Sequence, residues 1–540
     1  MKKSAIIIIL IISSMLPLLV RAQAKVQVGE PYGVIDAETK SYILRGKELL
    51  TVKVAGNKVY IQKLDPQTLT LVKDNTYEDL PKGFVMEDIM VFNSRCYFFF
   101  SYWLRDAKQE QLFYREIDFS NAKFIGEEKL MFTEDNKIAG TLSGAGFYNF
   151  EVTDKFDFYT SYDSSKLVIQ YRMKPEEKKD SKSYDLIGLK VFGRNMEQVW
   201  GDVVQMPYTE KQMDNLDYTV DSEGNAYVLC KVFDDNSTDD KKGKDEDANY
   251  HIELLKIVPK KNIESKIIAV NDKFIQTIAV FEGPNDMMYC AGLYNIGNVR
   301  SSANGLFMLK LNKDHSIADQ KYFEIPLEIL NQYESARTQK KNEKNEEKGE
   351  AEFKNLELRD LIINNDGSVI LVGEQHYITQ TTVYTSSGSR TTYHYHYNDV
   401  LISKIDPSGK LVWMRKIPKV QVFSSSSYMP AYKGGMSYSL ITGANSYYVL
   451  FLDNIKNMNL TIDQVPVTHR DKLGGFLTAY KIDYTTGQTT RSSLFDVRDV
   501  EGMSIHQFST GRLIQTASSE FVLEAYKKGK EDILIKVNMQ

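Results

Sequence analysis

The stretch VLISKIDPSGKLVW, Val400 to Trp413, reads as two β-strands joined by a tight turn. Asp406 and Gly409 lie between two runs of apolar, β-prone residues, and Gly takes positive φ without steric cost. The first half of this stretch recurs along the chain. An apolar strand, then Lys, then an aliphatic residue appears as VYIQKLD (59–65), LIGLKVF (186–192), IELLKIV (252–258), LFMLKLN (306–312), VLISKID (400–406), LTAYKID (477–483) and DILIKVN (532–538). An eighth copy, LFYREID (112–118), carries Glu116 where the others carry Lys63, Lys190, Lys256, Lys310, Lys404, Lys481 and Lys536. Repetition of this kind implies similar supersecondary units, each of which needs its neighbours to bury a face. The Lys positions are scaffold, where an alkyl stem covers apolar surface and the ammonium stays wet.

A second piece precedes most copies. Asp221-Ser222-Glu223-Gly224-Asn225 leads into Ala226–Cys230, and Asn364-Asn365-Asp366-Gly367-Ser368 leads into Val369–Gly373. Each unit therefore reads as four antiparallel strands, a to d, with the Lys motif as c. Four-stranded units repeated radially are β-propeller blades. In VDSEGNAYVLC and KIDPSGKLVW the chain resembles exported bacterial β-propeller repeat proteins, a largely uncharacterised, Bacteroidota-like group. The resemblance implies a fold and carries no catalytic residue. The expected architecture is all-β, a propeller of eight blades, or seven if the first and last units fuse. Stacked sandwiches or two separate β domains are the alternative. The eighth copy ends close to Gln540 with no d strand after it, so a strand around Val26–Val34 is expected to complete that blade and close the ring.

Lys2 and Lys3, an apolar run over Ala5–Val20, and the small-residue steps at Ala22 and Ala24 have the form of a secretory signal peptide spanning residues 1–22. Cleavage is expected after Ala22 or Ala24, leaving residues 25–540 as a single domain exported to the periplasm, the cell surface or the medium. About 16 apolar residues are short for a membrane span, and no later stretch is long enough to cross. The net charge of −5 falls to −8 without Lys2, Lys3 and Arg21, a balance that argues against nucleic acid. Cys96, Cys230 and Cys290 each sit in an apolar run and read as buried thiols. One disulfide with a leftover thiol is the other option.

The copies are spaced unevenly because insertions fall between b and c (174–185, 234–249, 377–399 and 453–475) and between d and the next a (327–353). In a blade those connections lie on one face, while a–b and c–d turns lie on the other. Repeat proteins commonly carry function on the face that bears insertions. Three of the stretches, Lys174–Asp185, Asp234–Asn249 and Thr338–Ala351, are mixed-charge and nearly free of apolar residues, so they read as solvated loops. Asp245, Asp247 and Asn249 have calcium-loop spacing but lack the Gly and the distal Glu.

The insertion YITQTTVYTSSGSRTTYHYHYND (377–399) reads as a long projecting hairpin with its turn at Gly388. Alternation places Tyr393, Tyr395 and Tyr397 on one face and His394 and His396 on the other. With Tyr377 and Tyr384, these tyrosines are the candidate contact residues for a protein or a sugar. His376, His394 and His396 are candidate metal ligands, against simple cross-strand packing. No catalytic motif is present, no catalytic residue can be named, and no cofactor is implied. The leading function is a non-enzymatic binding or scaffold module recognising a protein or glycan partner through its insertion-bearing face. The alternative is a hydrolase or lyase acting on polysaccharide or peptide in the central depression of that face.

Overall fold

Each copy of the Lys motif forms the third strand of an antiparallel sheet: Lys58–Asp65, Gln109–Asp118, Tyr184–Gly193, Tyr250–Ile257, Gly305–Leu311, Gly388–Ile405, Phe476–Asp483 and Glu531–Asn538. The computed structural model describes residues 24–539 apart from 136–137, 144–150, 176–181, 236–237, 241–247, 269–272, 285–286, 297–301, 313, 387, 429–433 and 471–473. The expected leader and the pair Asp245 and Asp247 lie outside the described residues. Among the described residues six sheets have four strands, two are extended to six, and two small ones have two. The chain is all-β with four-stranded antiparallel sheets in succession, an arrangement compatible with a propeller. Below, the sheets built on the eight motifs are numbered in chain order.

Strand b of each sheet shows why the sheets stack. Arg95–Leu104, RCYFFFSYWL, is apolar on both faces, as expected of a strand covered on both sides. Cys96, Phe98 and Phe100 pack against Leu50, Val52 and Ile61 of sheet one. The alternate residues Tyr97 and Phe99 pack against Leu167, Ile169 and Tyr171 of sheet three. Along the chain, Val228 and Cys230 face sheet three while Tyr227 and Leu229 face sheet five. Burial of each such side chain stabilises by about 1.5–3 kcal/mol. A further apolar cluster unites the last sheet with the first: Ile514, Val522 and Leu534 meet Leu49, Leu64 and Leu69.

The repeated Lys also has a structural task. Lys63 Nζ donates to the carbonyl of Ser120 at 3.1 Å, and Lys404 Nζ to that of Tyr484 at 3.2 Å, in each case in the c–d turn of the next sheet. Lys536 of sheet eight does the same to Gln67 of sheet one at 3.4 Å. The motif persists because one side chain stitches each of these sheets to its neighbour.

The N-terminal segment runs along the final strand: Lys25–Val28 pairs with Ile535–Asn538, and Tyr32–Gly33 with Asp532 and Glu531. A buried polar group reinforces this junction. Glu524 accepts from Lys53 Nζ at 2.7 Å and from the hydroxyls of Tyr32 and Tyr42 at 2.6 Å each. The three cysteines are free and buried, and burial pushes the Cys96 thiol up to about 12.

The 327–353 insertion departs from expectation. The mixed-charge segment beginning at Thr338 is not a loop: the insertion folds as helices α1 (Leu327–Asn331) and α2 (Ala336–Glu346). Ser335 caps α2 by accepting the Thr338 N–H at 3.2 Å. Gln339 and Asn342 bond back to Asn331 at its carbonyl and side chain. α2 buries no residue, so caps and helix-prone Ala, Gln, Lys and Glu sustain it without an apolar face.

Candidate partner-binding rim

In four antiparallel strands the b–c connection and the step from d to the next a leave from the same edge of the sheet. The insertions accordingly meet one another. Ser302–Ala303, from the b–c connection of sheet five, pairs with Phe353–Lys354 after the helices. The Tyr333 N–H donates to the carbonyl of Ile462 at 2.7 Å, joining the 327–353 and 453–475 insertions. The opposite edge carries short turns such as 46–47, 93–94 and 406–410.

The hairpin forms as expected, with Val369–Thr385 and Gly388–Ile405 in register out to Thr385 opposite Gly388. Its surroundings differ from expectation. A strand the sequence did not reveal, Gln421–Ser425, pairs with Tyr393–Tyr397 and in turn pairs parallel with His469–Arg470. Its residues QVFSS precede two more serines and look like linker; only the contact with Tyr395 and Tyr397 marks them as strand.

This third strand corrects the reading of the tyrosines as one exposed row. Tyr395 and Tyr397 are buried with Phe423 and Met436 in a small core of their own. Tyr393 meets the edge of Tyr428 with ring centres 5.5 Å apart, and Tyr377 stacks on His396 at 4.3 Å. Tyr384, at the tip, is 82% exposed, with Val383 beside it.

The histidines are engaged by neighbours. His394 lies 2.8 Å from the Ser424 hydroxyl and 3.3 Å from that of Thr381. His396 lies 3.0 Å from the Thr379 hydroxyl, and His376 lies 3.3 Å from Glu357. Burial, with His394 and His376 nearby, lowers the His396 pKa. Among the described residues no three His, Cys, Asp or Glu side chains gather as a metal site. This cluster packs across the strands.

Three insertions enclose a cavity of about 500 Å³ between the helices, the hairpin root and the 453–475 segment. Its floor is charged. Lys416, buried, lies 3.0 Å from Asp399 and 3.1 Å from Glu334, and its ammonium also reaches the Leu330 carbonyl. Burial works against the ammonium, yet Asp399 and Glu334 hold its pKa above the ordinary value. Arg337 and Lys341 of α2 and Lys354 add charge to the wall. Tyr333, also lining it, has φ of 62°, a region costly for a residue with a side chain. The hydrogen bond to Ile462 holds this residue in place.

The 453–475 segment forms the lip. Ile455, Met458, Ile462, Val465 and Val467 are all between 37% and 57% exposed. Five partly bare apolar side chains within 13 residues form a concentration that a lone exposed Leu does not.

No protein-family model matches the chain, and no curated protein matches it. Solved structures that match the chain include one from a study of two prolyl endopeptidases, at 10% identity over 94% of this chain and 55% of that one, with a TM-score of 0.38. A post-proline cleaving enzyme from Rickettsia typhi is similar at 11% identity over 92% of this chain and 58% of its own, with a TM-score of 0.37. An uncharacterized protein from Listeria monocytogenes is similar at 8% identity over 92% and 97% of the two chains, with a TM-score of 0.35. The chain thus spans a little over half the length of the two prolyl-cleaving proteins, and at this distance the likeness assigns no activity.

Proposed function

We propose that the eight sheets close into an eight-bladed β-propeller, sealed by the N-terminal strand on Glu531–Asn538, and that the protein is an exported module binding a protein or glycan through its insertion-bearing rim. Closure is supported by the apolar cluster between sheets eight and one and by Lys536 reaching the Gln67 turn. Export is supported by the leader-like sequence of residues 1–22.

The observation that carries the binding reading is the exposed apolar lip, Ile455 to Val467, beside a preformed cavity with a charged floor. Apolar area supplies affinity, and a few fixed polar groups supply orientation. The hairpin tip, with Val383 and Tyr384 exposed, projects from the same insertion-bearing edge. The root of the hairpin is scaffold.

The test immobilises the mature protein and probes it with a glycan array and with envelope extract. A variant carrying Ile462→Asp and Val465→Asp is compared with the wild type. The reading expects a partner retained by the wild type and lost by the variant. Equal retention by both, or retention of nothing by the wild type, contradicts it.

A further inference from the structure

Beyond its root the hairpin of sheet six carries a bare strand edge. Gly388–Ile405 covers one side of Val369–Thr385 as far as the tip, while Leu356–Ile363 covers the other side only from Val369 to Gln375. From Thr379 to Tyr384, among the described residues, no strand lies along that second side. Five of these six residues are exposed, so the edge faces solvent rather than the body of the protein.

An open edge is a template for another strand, and proteins blunt such edges with charged side chains, Pro or bulges. This edge has none of the three. From Gln375 to Ser389 there is no Asp, Glu, Lys, Arg or Pro, in a chain of which 26% is charged. The register with the return strand runs without a bulge from His376 to the tip. The return strand is better protected: Gln421–Ser425 covers it from Tyr393 onward, and Arg390 guards what remains. The missing charge also says what fits. A two-fold antiparallel contact sets each residue opposite itself or a near neighbour in sequence, so any charge there would meet its like. Thr379–Tyr384 satisfies that condition.

We propose that this edge pairs antiparallel with the same edge of a second copy of the chain, so that two hairpins form one four-stranded sheet. Centred on Thr382, the pairing sets Gln380 opposite Tyr384 and Thr381 opposite Val383, neighbours drawn largely from the β-branched and aromatic residues that pair well across strands. The tip of each hairpin then ends short of the other's Gln375, where the root is already covered, and the two bodies stay apart. The added ladder is short, so the dimer forms in proportion to concentration. This contact uses neither the lip nor the rim cavity.

Sedimentation velocity on the mature protein over a range of concentrations tests it. A species of two chains is expected to build up as concentration rises. Thr381→Lys with Val383→Lys sets ammonium groups opposite one another across the two-fold axis and should raise the dissociation constant about tenfold or more. Gln380→Lys with Tyr384→Lys, on the other face of the same edge, should act alike and keeps the test open if the first pair fails to fold. Ile462→Asp with Val465→Asp, on the lip, should leave the dimer unchanged. A monomer at every concentration would leave the edge to a strand of another protein and overturns the proposal. A dimer that survives both lysine pairs, or that is lost with the lip variant, overturns it as well.

Discussion

The aspartates of the tight turns on one edge and two desolvated carboxylates on the other shift in opposite directions. On the turn edge, aspartates sit where the turn itself supplies donors. The Asn121 side-chain amide, then backbone N–H groups, hold Asp118 below its ordinary pKa, and the Ser408 hydroxyl with the Lys410 N–H does the same for Asp406. Asp366 is lowered to about 2: burial opposes ionisation, but the Ser368 and Tyr484 hydroxyls prevail. For Glu334 and Asp453 on the insertion edge the balance reverses. Burial raises Glu334 despite Lys416, and raises Asp453 although Arg491 lies 2.6 Å away. One edge satisfies itself within a few residues of chain. The other is assembled from distant segments, desolvates charge, and leaves apolar side chains facing water.

The comparison breaks first at the hairpin. Tyr395→Ala should cost about 3–5 kcal/mol in chemical denaturation, because that ring belongs to a core shared with Phe423 and Met436. A loss below about 1 kcal/mol would mean the hairpin is a free arm with no core of its own. Next in size is Lys416→Met. Removing the ammonium leaves Asp399 and Glu334 without their cation, and a loss of about 3 kcal/mol is expected at pH 7.

Acid titration sharpens the contrast. Asp366 has a folded pKa below its unfolded value, so its contribution is complete above about pH 4 and disappears as pH falls through about 2. Asp453 has a folded pKa above its unfolded value, so its contribution is complete below about pH 4 and is lost as pH rises through the folded pKa. Asp366→Asn should therefore cost about 1 kcal/mol at pH 7, reduced by exposure of the turn, and nothing near pH 2. Carboxyl NMR titration reads both groups directly; finding the two shifts in the same direction would erase the distinction. The smallest expected effect on stability is at the lip. Ile462→Ser with Val465→Ser should stay within about 0.5 kcal/mol of the wild type, as exposed positions do.

What the sequence disclosed follows the same division. The c strands were legible because their Lys and flanking apolar residues do the same job in successive sheets, and the a–b and c–d turns because Asp and Gly act on their own backbone. The N-terminal strand on Glu531–Asn538 could be anticipated from an unpaired edge alone. The insertion edge was legible only in position. Nothing near Tyr395 announces that Phe423 will cover it, and nothing near Tyr333 announces Ile462. Helix α2 lies in a stretch whose charge and low hydropathy point to a loop, while its helix-prone residues and the Ser335 cap make it a helix.

The central claim, that the insertion-bearing edge is where this protein meets its partner, is tested most directly by site-specific photo-crosslinking in the native cells. A photoreactive residue is placed at Ile462 on the insertion edge and, separately, at Thr485 on the turn edge. The account predicts discrete covalent adducts from position 462 and none from 485. Adducts from 485 alone, or from neither position, would contradict it.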